Sequence, residues 1–293
     1  MEYSVERWVE DAPLDRRDFR QAVHIILQAI SSSSYLKPRM VMKGGMLLGI
    51  RYQSSRFTED IDFSTAEKLS DIDKDEFESE LNEALQEAED NLPYQIRCRV
   101  QSLKIQPKGE EVTFPSFNLK IGYANTKNQS EMKRLTSGQS PKTVKIDYSF
   151  NEITYKTDEI TLEDEDSVTV YGITDLISEK IRSIIQQPYR ERNRRQDIYD
   201  LNYLLTTIEE FTQEEKYNVL ETLYKKSKGR LPIEDIDQYT LDREDIKNMS
   251  QQNYHLLALE IEGDLPKFED AYNEVTKFYK SLPWNAIERS QFC

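Results

Sequence analysis

A short apolar run, two adjacent glycines and an Asp-Ile-Asp sequence follow one another in residues 40–64, MVMKGGMLLGIRYQSSRFTEDIDFS. The apolar run predicts a strand that ends at Gly44 and Gly45, and residues 46–51 predict a helix. Residues 60–63 predict a second strand. Because side chains alternate along a strand, Asp60 and Asp62 share one face of it. Two carboxylates at such a short distance repel each other, so the fold must supply something that compensates their charge.

A third carboxylate lies in the later segment VKIDY. There Val144, Ile146 and Tyr148 occupy one face of a predicted strand, and Asp147 occupies the other. If this strand lies beside the Asp60 strand, three carboxylates meet on one face. Divalent cations would neutralise such a cluster, since Mg²⁺ prefers oxygen ligands and leaves positions open for substrate phosphates. Taken alone, an Asp-x-Asp sequence is also common in turns and at sheet edges.

The glycine pair allows two interpretations. Glycine lets backbone N–H groups approach a phosphate, and a helix N-terminus favours anions, so Gly44 and Gly45 could form part of a phosphate site. A tight turn between a strand and a helix would explain the same two glycines. The combination of the glycine pair, the Asp-x-Asp sequence and a distal single Asp in an apolar strand is nevertheless rare.

The remaining pattern predicts two domains. Helical spacing covers residues 15–31 and 75–89, and later residues turn helical from position 174 onward. Period-two alternation predicts half-buried, antiparallel strands, at residues 94–100, 117–123, 144–148 and 153–157. We therefore expect an α/β domain over residues 1–167 and a helical domain over residues 168–293.

Composition narrows the classes of function. Two cysteines, Cys98 and Cys293, and two histidines, His24 and His255, argue against a disulfide framework and a zinc site. No apolar run approaches the roughly 20 residues of a membrane helix. The N-terminus has no apolar core of a secretory signal, which favours the cytoplasm.

The charge distribution is uneven. The formal net charge of −15 argues against general nucleic-acid binding. Residues 180–195, KIRSIIQQPYRERNRR, nevertheless contain six Lys or Arg and one Glu. A solvated helix end would explain this segment. If the chain binds RNA, it needs such a local basic surface, and the candidate contacts are Arg190, Arg192, Arg194 and Arg195.

Two charged residues fall within apolar helical stripes. Lys180 lies in the middle of the stripe formed by Leu176, Ile177, Ile181 and Ile184, and Asp197 lies within the stripe of the next helix. Lysine is seldom buried without a partner. Either the two residues form a buried ion pair that joins two helices, or both face the carboxylate cleft, where Lys180 would bind a triphosphate. The two interpretations are compatible.

Residues 15–210 resemble the AbiEii/AbiGii toxin family, whose members are nucleotidyltransferases of the polymerase-β-like superfamily. The resemblance rests on VMKGGMLLGIRYQSSRFTEDIDFS, on the lone Asp147 strand and on ITDLISEKIRSIIQQPYRERNRRQDIYDLNYLL. It implies an α+β fold, with an N-terminal polymerase-β-like nucleotidyltransferase domain built on a mixed or antiparallel sheet and a C-terminal helical domain.

The resemblance also implies roles for individual residues. The catalytic set is Asp60, Asp62, Asp147 and Asp197, and the first three of these also hold the metal. The nucleotide-binding set is Gly44, Gly45, Thr58 and Lys180. The late motif of the family often reads Arg-Asp, whereas here Gln196 precedes Asp197 and the nearest arginines are Arg194 and Arg195.

The expected function is therefore that of a toxin in a toxin–antitoxin or phage abortive-infection system. It would transfer NMP from CTP or GTP to the 3′ end of tRNA or another RNA, with Mg²⁺ or Mn²⁺, and so block translation. Its partners would be a cognate antitoxin and RNA, with no membrane. NMP transfer to a protein hydroxyl and a non-catalytic nucleotide-binding or antitoxin-binding module are the alternatives.

Overall fold

The computed structural model describes residues 4–108, 112–162, 166–208 and 210–292. The chain divides into two compact units. The first comprises Met1–Gln53 and Thr58–Tyr171, and the second comprises Ser54–Phe57 and Gly172–Cys293. The short segment Ser54–Phe57 thus belongs to the second unit, although its neighbours on both sides belong to the first.

The first unit combines seven strands with five helices among the described residues. The strands are β1 (Val41–Lys43), β2 (Asp60–Ser64), β3 (Ile96–Gln106), β4 (Ser116–Asn125), β5 (Thr143–Ser149), β6 (Thr157–Thr161) and β7 (Ser167–Tyr171). The helices are α1 (Val5–Glu10), α2 (Arg17–Ser32), α3 (Gly44–Arg51), α4 (Lys74–Asn91) and α5 (Gln129–Thr136).

The strands form one mixed sheet in the order β3-β4-β5-β2-β1-β7-β6. The β2–β5 and β1–β7 pairs are parallel, and the other neighbouring pairs are antiparallel. The mixed sheet confirms the predicted α+β class. It also places the Asp147 strand beside the Asp60 strand, as the clustering of the three carboxylates on one face requires.

One face of the sheet carries the core of this unit. Ile61, Phe63 and Ile146 are buried there, as are the aromatic residues Phe117 and Tyr148. Helices α2 and α4 pack against each other and against β3. The Phe77 ring of α4 lies 5.4 Å from Phe117 and 5.6 Å from Tyr148, between ring centroids. The alternation that buries these side chains directs their neighbours in sequence to the opposite face.

Three features of this unit differ from the expectation. The strand predicted over residues 153–157 is wrong, because the strand that follows β5 is Thr157–Thr161. Ile153 and Tyr155 are instead exposed residues before it. Strand β3 extends to Gln106, beyond the predicted end at residue 100, through a register shift between Val100 and Ser102. Strand β7, which the pattern did not predict, begins at residue 167, where the domain boundary was expected.

The second unit is helical. Its helices are α6 (Ile173–Ile185), α7 (Gln187–Arg190), α8 (Arg195–Thr207), α9 (Gln213–Ser227), α10 (Glu244–Gln251) and α11 (Phe268–Lys280). Helix α6 packs against α8 and α9, and α8 also packs against α11. The segment Ser54–Phe57 joins this unit through backbone hydrogen bonds, since Phe57 N donates to Glu260 O and Glu262 N donates to Ser55 O. No helix in the described ranges is long and apolar enough to cross a membrane.

Candidate active site

Asp62 and Asp147 are direct register partners on the parallel strands β2 and β5. Adjacent strands lie about 4.8 Å apart, so the two carboxylates leave the sheet side by side on the face opposite the core. Asp60 precedes Asp62 by two positions on β2 and therefore shares this face. Asp62 is half-buried, whereas Asp60 and Asp147 are exposed. The structure thus brings together the three carboxylates that the sequence singled out.

Gly44 makes room for the Asp62 side chain. Its φ is +78°, a conformation that L-residues other than glycine rarely adopt. A Cβ atom added at Gly44 would lie 2.0 Å from Asp62 Oδ2. The first residue of α3 therefore lies against the Asp62 carboxylate, with no space for a side chain between them. The N-cap residue, Lys43, makes no side-chain capping hydrogen bond, so no capping side chain covers the first N–H groups of α3.

Lys145 partly offsets the negative charge on this face. Its Nζ lies 3.5 Å from Asp60 Oδ1 and 3.7 Å from Glu59 Oε2, and all three side chains are at least half exposed. Thr58, for which the family resemblance implies a nucleotide-binding role, accepts a hydrogen bond from Asp60 N at 3.5 Å through its hydroxyl. Thr58 therefore helps to shape the turn that leads into β2.

The three carboxylates suit a metal site that water and substrate phosphates complete, rather than one formed by protein ligands alone. Across the described part of the chain, no group of three His, Cys, Asp or Glu side chains is arranged to hold a metal ion. Mg²⁺ is commonly held by one or two carboxylates, with water and substrate phosphates completing its coordination. Asp62, held against Gly44, and Asp147 beside it supply two such ligands. The donor set therefore suits a cation that arrives with a triphosphate.

A buried polar network lies next to these carboxylates in the first unit. Lys43, the register partner of Asp62 on β1, pairs with Glu152 at 3.1 Å. The Tyr171 hydroxyl donates to Glu152 at 3.3 Å and accepts a hydrogen bond from Ser64 at 3.0 Å. All four partner side chains are buried. Because a buried charge is costly unless it is paired, this network fixes the end of β1 immediately before the glycine turn.

The second unit contains a buried ion network around Lys180. Lys180 Nζ donates to Asp197 Oδ1 at 3.1 Å and to Asp200 Oδ2 at 2.7 Å. Arg56 donates to both Asp200 oxygens, at 2.8 and 2.9 Å, and Arg194 donates to Asp197 at 2.8 Å. The predicted ion pair between Lys180 and Asp197 is therefore present, within a larger network.

The network shifts the pKa values of its members. Burial alone would raise the pKa of Asp200, but Arg56 and Lys180 lower it to about 2. Burial alone would lower the pKa of Lys180, but Asp200 and Asp197 raise it above its ordinary value. Both side chains are therefore charged at neutral pH. Two of the three Lys180 N–H groups are used by carboxylates, which leaves one donor for another ligand.

Asp200→Asn is expected to lower the free energy of unfolding by about 2–3 kcal/mol at neutral pH. An unfolded Asp titrates near 3.9, whereas folded Asp200 titrates at about 2. The contribution of Asp200 is therefore fully present above about pH 4 and is lost as the pH falls towards 2. Urea denaturation across this range should show the wild-type and variant curves converging only at acid pH.

Asp245→Asn provides the control for Asp200→Asn. Asp245 pairs with Arg243 at 2.6 Å, but its side chain is 47% exposed. A surface pair of this kind contributes less than about 1 kcal/mol. An equal loss of stability in both variants would contradict the importance assigned to the buried network.

The four arginines proposed as RNA contacts have different surroundings. Arg190 and Arg192 are exposed. Arg194 pairs with Asp197 at 2.8 Å, and Arg195 pairs with Glu260 at 3.2 Å. Arg194 and Arg195 thus contribute to the packing of α8, and the exposed basic surface of this segment is narrower than the sequence indicated.

Sequence patterns did not identify four charged residues of these networks, Asp200, Arg56, Lys43 and Glu152. Asp200 follows Asp197 by three positions, so the two share a helix face, and this spacing could have identified it. Lys43 directly precedes the glycine pair. Arg56 lies in a polar turn, and Glu152 lies beyond β5, with no local pattern to mark either residue.

Comparisons with known proteins identify the family and the fold of the chain. Residues 25–274 match the family described as nucleotidyl transferase AbiEii toxin, type IV TA system. A solved crystal structure, described as a "putative nucleotidyltransferase from H. pylori", superposes with a TM-score of 0.51 at 16% identity, over 92% of this chain and 96% of that one. At this identity the likeness shows a shared fold. No curated protein sequence matches the chain. The family match spans most of the chain, which therefore belongs to the AbiEii family of nucleotidyltransferase toxins of type IV toxin–antitoxin systems.

Proposed function

We propose that this nucleotidyltransferase transfers NMP from an NTP to a hydroxyl of RNA, namely the 3′ end of tRNA, with Mg²⁺ or Mn²⁺. The observation that carries the proposal is the row formed by Asp62 and Asp147, with Asp60 on the same exposed face and Gly44 against Asp62. A surface acidic patch without a function would not need a glycine at positive φ to accommodate one of its carboxylates.

The residues of the first unit would hold the metal, bind the triphosphate and accept a proton. Asp60, Asp62 and Asp147 would hold the metal, which when bound stabilises charge on the attacking and leaving oxygens. Gly44 and Gly45 would present the N–H groups at the start of α3 to the triphosphate. The acceptor hydroxyl oxygen forms a bond to the α-phosphorus of the NTP. The bond between the α-phosphorus and the oxygen that bridges to the β-phosphorus breaks, and pyrophosphate leaves. Asp147 would accept the hydroxyl proton.

In the second unit, Lys180 is the proposed contact to the nucleotide, and Asp197 orients it. Asp200 and Arg56 restrict the position of the ammonium group. A hydrogen bond from Lys180 to a phosphate is compatible with its ion pairs, because one N–H group remains.

Lys180→Ala is expected to weaken NTP binding by about tenfold to a hundredfold, since a hydrogen bond to a charged group contributes roughly 1.5–3 kcal/mol. Calorimetric titration with a non-hydrolysable NTP would measure this change. Lys226→Ala is the matched control, because Lys226 is also buried and pairs with Asp175 at 3.1 Å. Both variants should lose thermal stability, but only Lys180→Ala should lose nucleotide affinity. Equal NTP affinity in the two variants would make Lys180 a purely structural residue.

The family and the charge distribution indicate two partners, an antitoxin and RNA. Membership of a type IV toxin–antitoxin family implies an antitoxin partner. A chain of net charge −15 can bind RNA only through local basic surfaces, of which Arg190 and Arg192 form one candidate. We place this activity in the cytoplasm, where NTPs and tRNA are available.

The purified protein should be incubated with each labelled NTP in turn, Mg²⁺, and either bulk tRNA or bulk cellular protein. We expect one NTP, CTP or GTP, to label tRNA, and the label to disappear when EDTA is added. Label that appears only on protein would identify a protein hydroxyl as the acceptor. Absence of label on both substrates with every NTP would contradict the proposed function.

A further inference from the structure

The exposed face of the sheet continues from the carboxylates towards the β3 edge as two rows of polar residues. Strand registers place Asn118 beside Asp147, and Lys104 beside Asn118. The adjacent row runs from Asp60 to Lys145. It then continues from Lys145 to Lys120 and Ser102. We call the surface formed by Lys104, Lys120, Lys145, Asn118 and Ser102 the lysine face; its three lysines are exposed, and Asn118 and Ser102 are half-buried.

The lysine face carries three lysines, of which Lys145 pairs with Asp60 and Glu59. Lys104 and Lys120 are exposed, and neither makes an ion pair with any residue in the described ranges. Lys120 lies directly opposite Lys145. Like charges in opposite positions on neighbouring strands destabilise a sheet. The chain has a net charge of −15, with more acidic than basic residues, so its composition alone would not lead us to expect two lysines opposite each other.

We propose that the lysine face binds the phosphate backbone of the RNA acceptor. This inference rests on the proposed function and adds a phosphate-binding surface on the first unit. Lys104 lies three strands from Asp62, about 14 Å at the usual strand spacing. A strand of RNA that crosses β4 and β5 would therefore meet lysines along its backbone and place its terminal hydroxyl at the carboxylates.

The chemistry of this surface favours RNA over a protein acceptor. Protein interfaces usually contain an apolar or aromatic centre. Between the carboxylates and the β3 edge, the residues of the two register rows are lysine, asparagine and serine. Lysines, asparagines and serines are typical contacts to phosphate and sugar, and such contacts position a nucleic acid without reading its sequence.

The test is a double variant, Lys104→Gln with Lys120→Gln, compared with wild type and with Lys68→Gln. Lys68 is an exposed lysine of the same unit that lies in the loop after β2 and is not part of the lysine face. Binding of bulk tRNA would be titrated against salt in the presence of Mg²⁺. Each lost phosphate contact reduces the log–log salt slope by roughly 0.7, so the double variant should lose about 1.4 and bind about tenfold more weakly near 0.15 M salt.

Further readouts separate RNA binding from general damage. NTP affinity, measured by calorimetry, should equal that of wild type. The melting temperature should be unchanged or higher, because the repulsion between Lys120 and Lys145 is relieved. The KM for tRNA should rise with little change in kcat.

Two outcomes would overturn the inference, and they are distinguishable. If wild type labels tRNA and the double variant retains its salt slope, affinity and KM, the lysine face does not bind the acceptor, while the proposed function stands. If wild type labels protein and no RNA, the proposed function fails, and this inference fails with it.

Discussion

Asp62→Asn is expected to reduce NMP transfer by at least about a thousandfold, with the fold retained. Asp62 is the half-buried carboxylate between Gly44 and Asp147, so its position is more restricted than that of the exposed Asp60 and Asp147. A thousandfold loss corresponds to about 4 kcal/mol of transition-state stabilisation. The melting temperature should be unchanged or higher, because the substitution removes one charge from a repulsive cluster. Transfer of labelled nucleotide to tRNA and thermal melting would measure both effects.

Asp90→Asn is the control for Asp62→Asn. Asp90 lies at the end of α4 on the first unit, and its side chain is 76% exposed. This variant should transfer NMP at the wild-type rate and change stability by less than about 0.5 kcal/mol. Near-wild-type transfer by Asp62→Asn in Mg²⁺ would contradict the mechanism assigned here.

Gly44→Ala is expected to lower transfer by about two to three orders of magnitude and also to destabilise the first unit. The new Cβ would lie 2.0 Å from Asp62 Oδ2, so the carboxylate must move away from Asp147. The φ of +78° adds backbone strain of about 1–3 kcal/mol for a residue other than glycine. Displacement of a catalytic group by about 1 Å can cost a hundredfold in rate. Steady-state transfer and urea denaturation would measure the two losses.

Gly49→Ala separates this steric effect from the general effect of altering α3. Gly49 lies in the same helix, and a Cβ there would approach only Trp8 Nε1, at 4.0 Å. Alanine in a helix interior is more favourable than glycine by about 0.5–1 kcal/mol, so this variant should be slightly more stable and fully active. If Gly44→Ala behaved like Gly49→Ala, the close approach to Asp62 would have no catalytic importance.

The sequence predicted the parts of the site that depend on local pattern. Alternation along β2 put Asp60 and Asp62 on one face, and the isolated Asp147 in an apolar strand identified the third carboxylate. The proposed meeting of these residues was confirmed because β2 and β5 are neighbours in register. The Lys180–Asp197 pair was also predictable, since each residue interrupts an otherwise apolar helical stripe.

The remaining features depend on contacts between distant segments. Arg56 lies in a polar turn, and nothing nearby in sequence indicates that it meets Asp200, which is far along the chain. The Lys43–Glu152 pair likewise joins the end of β1 to a segment beyond β5. The strand predicted over residues 153–157 was displaced to Thr157–Thr161, where it pairs with β7 along its full length. Period-two alternation alone does not identify a strand's partner, and the partner determines where the strand begins.

The proposed mechanism requires the carboxylates of β2 and β5 to bind a divalent cation together with an NTP. Anomalous diffraction from crystals of the full chain, grown with Mn²⁺ and a non-hydrolysable NTP, would locate the cation directly. We expect a manganese peak within coordination distance of Asp62 and at least one of Asp60 and Asp147, with triphosphate oxygens completing its coordination. Bound nucleotide with no manganese at these carboxylates, or manganese bound instead at Asp197 and Asp200, would contradict this mechanism.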